Sequence, residues 1–150
     1  NGGKQHGSAL LSIKVSFSNV ANVLLNWNDE GDDYCSWRGV VCDNVGVGLS
    51  VVSLNLSNLK LGGEISPALG DLRNIQSIDL QGNGLTGQIP DEIGKCGSLV
   101  HLDLSDNLLH GDIPFSISKL KQLEFLNLKN NQLGGPIPST LTQIPNLKTL

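Results

Sequence analysis

The sequence predicts an α/β repeat solenoid: a superhelix with a parallel concave β-sheet, closed at its N-terminus by a helical, disulfide-containing cap. Three observations predict it. A 24-residue pattern runs from Val51 to the last residue without insertion or deletion. Within each unit, seven apolar positions recur at fixed offsets. Ahead of the first unit, Cys35 and Cys42 flank the short segment SWRGVV. A fixed period of this length is the signature of stacked supersecondary units. Two cysteines so close, just before an array, read as a disulfide in a small cap and hence as an extracellular compartment. Reduced core cysteines are the competing reading. A metal site on this pair is disfavoured, because there is no second pair and no nearby histidine.

The cap occupies residues 1–50. Residues 1–7 are polar and glycine-rich, and are expected to fray. Ser8 is a candidate N-cap for a helix whose apolar residues include Leu10, Leu11, Ile13 and Phe17. A second short helix is expected through Val20, Val23, Leu24 and Trp27. Phe17, Trp27, Tyr34 and Trp37 are four of the six aromatic residues. Plugging the open end of the solenoid is their expected role, weighed above ligand binding by the tryptophans. Residues 44–50, NVGVGLS, read as a flexible join to the array.

The array occupies residues 51–150. Four complete units span 51–74, 75–98, 99–122 and 123–146, and a fifth is cut at Leu150. The third reads LVHLDLSDNLLHGDIPFSISKLKQ, and its inward positions are Leu99, Leu102, Leu104, Leu109, Ile113, Ile117 and Leu120. All 28 such positions in the four units are apolar, and Cys96 is the only occupant that is not aliphatic. That residue reads as a buried small hydrophobe rather than a reactive thiol. Leu102-Asp103-Leu104 alternates as a strand with one buried face does. Parallel strands about 4.8 Å apart then build the concave sheet. A single unit cannot offset its own ordering entropy, so neighbours must share a core.

Asn83, Asn107 and Asn131 recur at the ninth position, where their amides can satisfy turn backbone. The first unit has Leu59 there. Gly63, Gly87, Gly111 and Gly135 hold the thirteenth position, as a tight turn would require. Pro90, Pro114 and Pro138 each follow an isoleucine and should lead the chain off the strand. Ser66 replaces them in the first unit.

Chemistry-bearing motifs are absent. No Gly-x-x-x-x-Gly-Lys or Gly-x-Ser-x-Gly occurs, no two of His6, His101 and His110 stand at metal-ligand spacing, and no cofactor is implied. Asp79 and Asp103 should be neighbours on the concave face, but the repeat stacks them there automatically, so catalysis is not inferred. The net charge of −4 provides no basic stripe for nucleic acid. No apolar run approaches a membrane span of roughly 18 residues, no signal peptide opens the chain, and the broken fifth unit reads as a fragment of a longer protein.

The outward strand positions are the candidate ligand or partner face: Gln76, Asp79 and Gln81, then His101, Asp103 and Ser105, then Glu124, Phe125, Asn127 and Lys129. Phe125 is the candidate anchor, because aromatics tend to dominate interface energetics. Solvation of the sheet is the competing role. Asn55-Leu56-Ser57 is a glycosylation sequon on the outward side of the first strand.

The Gly-x-Ile-Pro segments mark the repeat as similar to the plant-specific leucine-rich repeat. The segment YCSWRGVVCDN at 34–44 looks like the N-terminal cap of plant receptor-kinase ectodomains. VVSLNLSNLKLGGEISPALGDLRNIQSIDLQGN from Val51, GQIPDEIG from Gly87, GDIPFSISKLKQLEFLNLKNNQL from Gly111 and PIPSTLTQIPNLKTL from Pro136 resemble, more narrowly, the ERECTA family, particularly its ERECTA-like receptors. The chain departs from that family at Asn44-Val45-Gly46, where relatives usually carry a sequon. The resemblance implies a longer solenoid, one transmembrane helix, a cytoplasmic serine/threonine kinase, and a place on the extracellular side of the plasma membrane. It also implies secreted cysteine-rich peptides of the epidermal patterning factor type as ligands. The receptor-like protein TOO MANY MOUTHS and a co-receptor kinase are the implied partners, and stomatal patterning and organ growth the implied outputs.

A rival reading is a secreted inhibitor of a cell-wall hydrolase such as polygalacturonase, since such inhibitors share the repeat. A third is a truncated product whose last repeat exposes Leu133, Ile137, Leu141 and Leu150.

Overall fold

The structure is a computed structural model that describes residues 2–28, 33–46 and 48–147. Each unit contributes one strand to a parallel run: β2 (Leu49–Asn55), β3 (Ser77–Asp79), β4 (His101–Asp103) and β6 (Phe125–Asn127). The register pairs Ser53 with Ser77, His101 and Phe125 in turn, and Asn55 with Asp79, Asp103 and Asn127. Partners therefore lie one repeat apart, and equivalent positions form straight rows across the sheet.

After each strand the eighth position turns left-handed, at Asn58 (φ 56°), Gly82 (70°), Asp106 (56°) and Asn130 (57°). Asparagine, aspartate and glycine are the residues that tolerate this conformation. The thirteenth-position glycines are left-handed too, with φ from 69° at Gly135 to 81° at Gly63. The chain then enters a short 3₁₀ segment on the far side: Pro67–Asp71, Asp91–Lys95, Phe115–Lys119 and Ser139–Gln143. Pro90, Pro114 and Pro138 stand just ahead of the last three, their φ already in the range a proline ring imposes. Ahead of the first, Ser66 accepts the Ala68 N–H through its hydroxyl.

All seven inward positions are buried in the first two units, and in the third only Ile113 is half-buried. In the fourth unit Ile137 is exposed, as expected, while Leu133 is half-buried rather than exposed. Leu141 is buried, because its 3₁₀ segment packs against Phe115–Lys119 of the unit before. Leu150 lies outside the described residues.

A second parallel pair escaped the sequence reading. β5 (His110–Asp112) lies beside β7 (Gln132–Gly134), and a bridge between Glu64 and Thr86 repeats the pairing two units earlier. Segments such as HGD and QLG carry none of the β-branched or aromatic residues that signal a strand.

The cap differs from expectation in three places. Helix α1 spans Gly2–Ser16, so residues 2–7 are wound into it and Ser8 lies inside it rather than at its start. His6 explains the extension: it is buried, and its Nδ1 accepts the Val51 N–H at 3.3 Å, tying this end of the helix to the first strand. The expected second helix is a run of turns, with a single α-type bond from Leu24 N–H to the Val20 carbonyl. The expected flexible join is the tip of a hairpin. β1 (Val40–Asn44) runs antiparallel to β2, with Asn44 opposite Leu49.

The aromatic plug is observed. Trp27 is fully buried, stacks on Trp37 at 5.6 Å, and donates its indole N–H to the Arg38 carbonyl. Tyr34 meets Trp37 edge-on. Cys35 and Cys42 are joined, with their Cα atoms 5.5 Å apart, which links the turn after Asp33 to strand β1.

A candidate binding face on the concave sheet

Three rows of side chains cover the concave sheet. The third position of each unit gives Ser53, Ser77, His101 and Phe125, and the fifth gives Asn55, Asp79, Asp103 and Asn127. The seventh gives Ser57, Gln81, Ser105 and Lys129.

The fifth-position row has a structural task that the sequence reading did not assign. Each member accepts, through Oδ1, the N–H two residues ahead: Asn55 from Ser57, Asp79 from Gln81 and Asn127 from Lys129, all at 3.1 Å, and Asp103 from Ser105 at 3.0 Å. This ends every strand in the same turn and explains why only Asn and Asp occur there. Asp103 takes a further bond from the Ser105 hydroxyl at 2.7 Å.

Asp103 and Ser105 are 7% and 3% exposed, so they stand on this face almost wholly covered. Their mutual bonding and the strands on either side cover them. Gln76 and Lys129 are exposed, while Asp79, Gln81, His101, Glu124, Phe125 and Asn127 are half-buried. His101 and Phe125 lie face to face, with centroids 4.4 Å apart and planes within 5°. Phe125 is thus one half of a flat aromatic plate that spans two strands, not a lone exposed anchor. Asn55 is exposed at the margin beside Asp79.

Beneath the rows runs the asparagine ladder. Asn107 accepts the N–H groups of Asn83 and Leu85 through Oδ1, and donates to the carbonyls of Leu80, Leu104 and Ser105. Asn83 likewise serves Leu59, Leu56 and Leu80, and Asn131 serves Leu109, Leu104 and Leu128. Each amide spans its own unit and the one before, so the ladder fixes the spacing of the face above it. Among the described residues, no buried side-chain nitrogen or oxygen lacks a partner.

The fold also brings His101 against the Asp79–Asp103 pair that the repeat stacks. One ligand-type atom each from Asp79, His101 and Asp103 lies within 4.8 Å of the other two. Cys96, by contrast, is buried, and burial pushes its thiol up to about 11, which makes it a poor nucleophile.

Cap, rows and ladder together define a plant-type leucine-rich-repeat ectodomain. The leucine rich repeat N-terminal domain model matches residues 4–43, and leucine rich repeat models match 50–72 and 73–133. The LRR receptor-like serine/threonine-protein kinase ERL1 of Arabidopsis thaliana is 76% identical over 72 residues, 47% of this chain and 7% of that protein. ERECTA of the same plant is 67% identical over 74 residues, 49% of this chain and again 7% of its own length. Among solved structures, a chain of PEPR1-AtPEP1 superposes with a TM-score of 0.89 at 34% identity, covering 97% of this chain and 20% of that one. The plant peptide hormone receptor RGFR1 in complex with RGF2 matches at 44% identity and a TM-score of 0.59, over 59% of this chain and 14% of that one. The chain belongs to the ERECTA family of leucine-rich-repeat receptor-like kinases, as an N-terminal part of the ectodomain. It spans about 7% of the length of the curated relatives it matches. No helix among the described residues is long and apolar enough to cross a membrane.

Proposed function

We propose that the concave face of this chain contributes to extracellular peptide recognition by a receptor-like serine/threonine kinase of the plasma membrane. Its ligands are secreted cysteine-rich peptides of the epidermal patterning factor type. It binds them together with the receptor-like protein TOO MANY MOUTHS and a co-receptor kinase, and the output is stomatal patterning and organ growth. Gln76, Asp79, Gln81, His101, Asp103, Ser105, Glu124, Phe125, Asn127 and Lys129 form the contact region. Asp103 and Ser105 serve it from below, by holding the strand ends in place. A glycan on Asn55 borders the region, and the intact mass of the secreted protein, with or without a glycan, decides that point.

The observation that carries this reading is the His101–Phe125 plate. A flat, preoriented aromatic surface beside fixed polar groups binds with little side-chain ordering, one of the costs of association. The likeness to RGFR1, a peptide hormone receptor in its complex with RGF2, supports the same use of the solenoid.

The test is calorimetric titration of the whole ectodomain with peptides of this type. Phe125→Ala should weaken binding by about 1–2 kcal/mol, in the range of an interface anchor. Wild-type affinity in the variant removes the plate from the contact region.

A further inference from the structure

We propose that Asp79, His101 and Asp103 form a binding site for a divalent transition-metal ion of the zinc type on the concave sheet. The fifth-position turn needs only one carbonyl-type oxygen, and asparagine supplies it at Asn55 and Asn127. In the two middle units the same task is given to aspartates, placed directly opposite each other in adjacent strands. Like charges at such a pair repel and destabilise a sheet. The turn alone does not call for that charge, whereas a cation between the two carboxylates turns it to use.

The buried member supplies an independent observation. Asp103 is more than nine-tenths buried and commits Oδ1 to the N–H and hydroxyl of Ser105. Its Oδ2 accepts no hydrogen bond among the described residues, although no fully enclosed polar side-chain atom is left without a partner there. That oxygen is therefore reachable from the face and still has its coordinating capacity.

The third ligand is held in place as well, since the His101 ring is stacked on Phe125. The three ligand atoms lie within 4.8 Å of one another. A tetrahedral ion with bonds of about 2.1 Å wants its ligands about 3.4 Å apart, so side-chain adjustments of about 1.4 Å or less close the site. An imidazole with two carboxylates suits zinc or cobalt better than calcium or magnesium, which take oxygen alone. Three protein ligands leave a coordination position open toward the concave space. This inference does not depend on the peptide reading and is tested without any peptide.

The experiment uses the secreted, tag-free protein, stripped with a chelator and titrated with Zn²⁺ by calorimetry and with Co²⁺ by visible absorption. One ion per chain is expected, with a cobalt spectrum showing nitrogen and oxygen ligation. Asp79→Asn and Asp103→Asn keep the turn, as Asn55 and Asn127 do, and remove the charge. Each of these, and His101→Gln, should weaken zinc binding at least about tenfold, since even outer-shell changes cost 10–100-fold at metal sites. His110→Gln should leave binding unchanged. Absence of binding in the wild type overturns the site and leaves the paired carboxylates to a basic side chain of a partner. Binding that persists in His101→Gln and Asp79→Asn is an adventitious ion only, and overturns it equally.

Discussion

A single imidazole ties the helix of the cap to the first strand of the array. His6 is 5% exposed, and its Nδ1 accepts the Val51 N–H, which only an unprotonated nitrogen can do. Burial lowers its pKa below the ordinary 6.5. A group whose folded value is depressed stabilises above its unfolded value and loses that contribution as pH falls through the folded one. The cap should therefore loosen on acidification below about pH 6.5. Thermal unfolding between about pH 7.5 and 5 should show a steeper fall in Tm for the wild type than for His6→Gln, whose amide oxygen can accept the same N–H without titrating. Parallel slopes would show that protonation of His6 is not linked to folding. Cys96 is the contrasting residue, a titratable group at the same position as Leu72, Leu120 and Ile144. It donates to the Leu69 carbonyl at 3.4 Å and stays a thiol. Its place in an aliphatic row told as much from sequence. Nothing local to His6, in a segment that reads as a polar tail, pointed to burial.

Where elements meet, the turns carry the steric detail. Gly63 has φ 81°, and a Cβ there would lie 2.3 Å from the Ser16 carbonyl oxygen and 2.8 Å from the Phe17 Cα. Gly84 is also left-handed, at 66°, but a Cβ there meets nothing within 4 Å. Both alanine variants bear the left-handed strain of about 1–2 kcal/mol. Only Gly63→Ala must also push the end of α1 away from the array, breaking the Glu64 N–H bond to the Ser16 carbonyl. Urea unfolding should place Gly63→Ala at least about 2 kcal/mol below Gly84→Ala. Equal costs would mean that the seam between cap and array yields freely. The thirteenth-position turn was legible because one residue type recurs there. The eighth-position turn was not, because Asn58, Asp106 and Asn130 pass for outward polar residues. Its signal was the restriction to Asn, Asp and Gly in all four units. The hairpin at the join was less legible still. Gly46 and Gly48 read as flexibility, whereas the pairing of β1 with β2 is decided by the disulfide at Cys42 and by an edge strand that needs a partner.

Across the whole molecule, the period alone told which residues share a row, and so it placed Asp79 beside Asp103, while the pairing of His101 with Phe125 went unread. The period could not tell that Asp103 is covered, that the rings stack, or that a histidine closes on two carboxylates. Those depend on side-chain packing within rows rather than on the spacing of rows. The same period makes stability a property of neighbours, since each unit completes the core of the one before it. The fifteenth position shows this directly. Ile65 and Ile89 are buried, Ile113 is half-buried, and Ile137, the same residue type at the same offset, is 60% exposed. Deleting the Ile89 side chain leaves a cavity between two flanking units and should cost about 2–5 kcal/mol. In the isolated 150-residue segment, Ile137→Ala removes atoms already in water on most sides, and there it should cost less than about 1 kcal/mol. Urea unfolding of the two variants separates these outcomes, with the Ile89→Ala midpoint clearly lower. If Ile137→Ala proved as damaging as Ile89→Ala, the stability of a unit would be set within that unit, and stacking would not be what holds this array together.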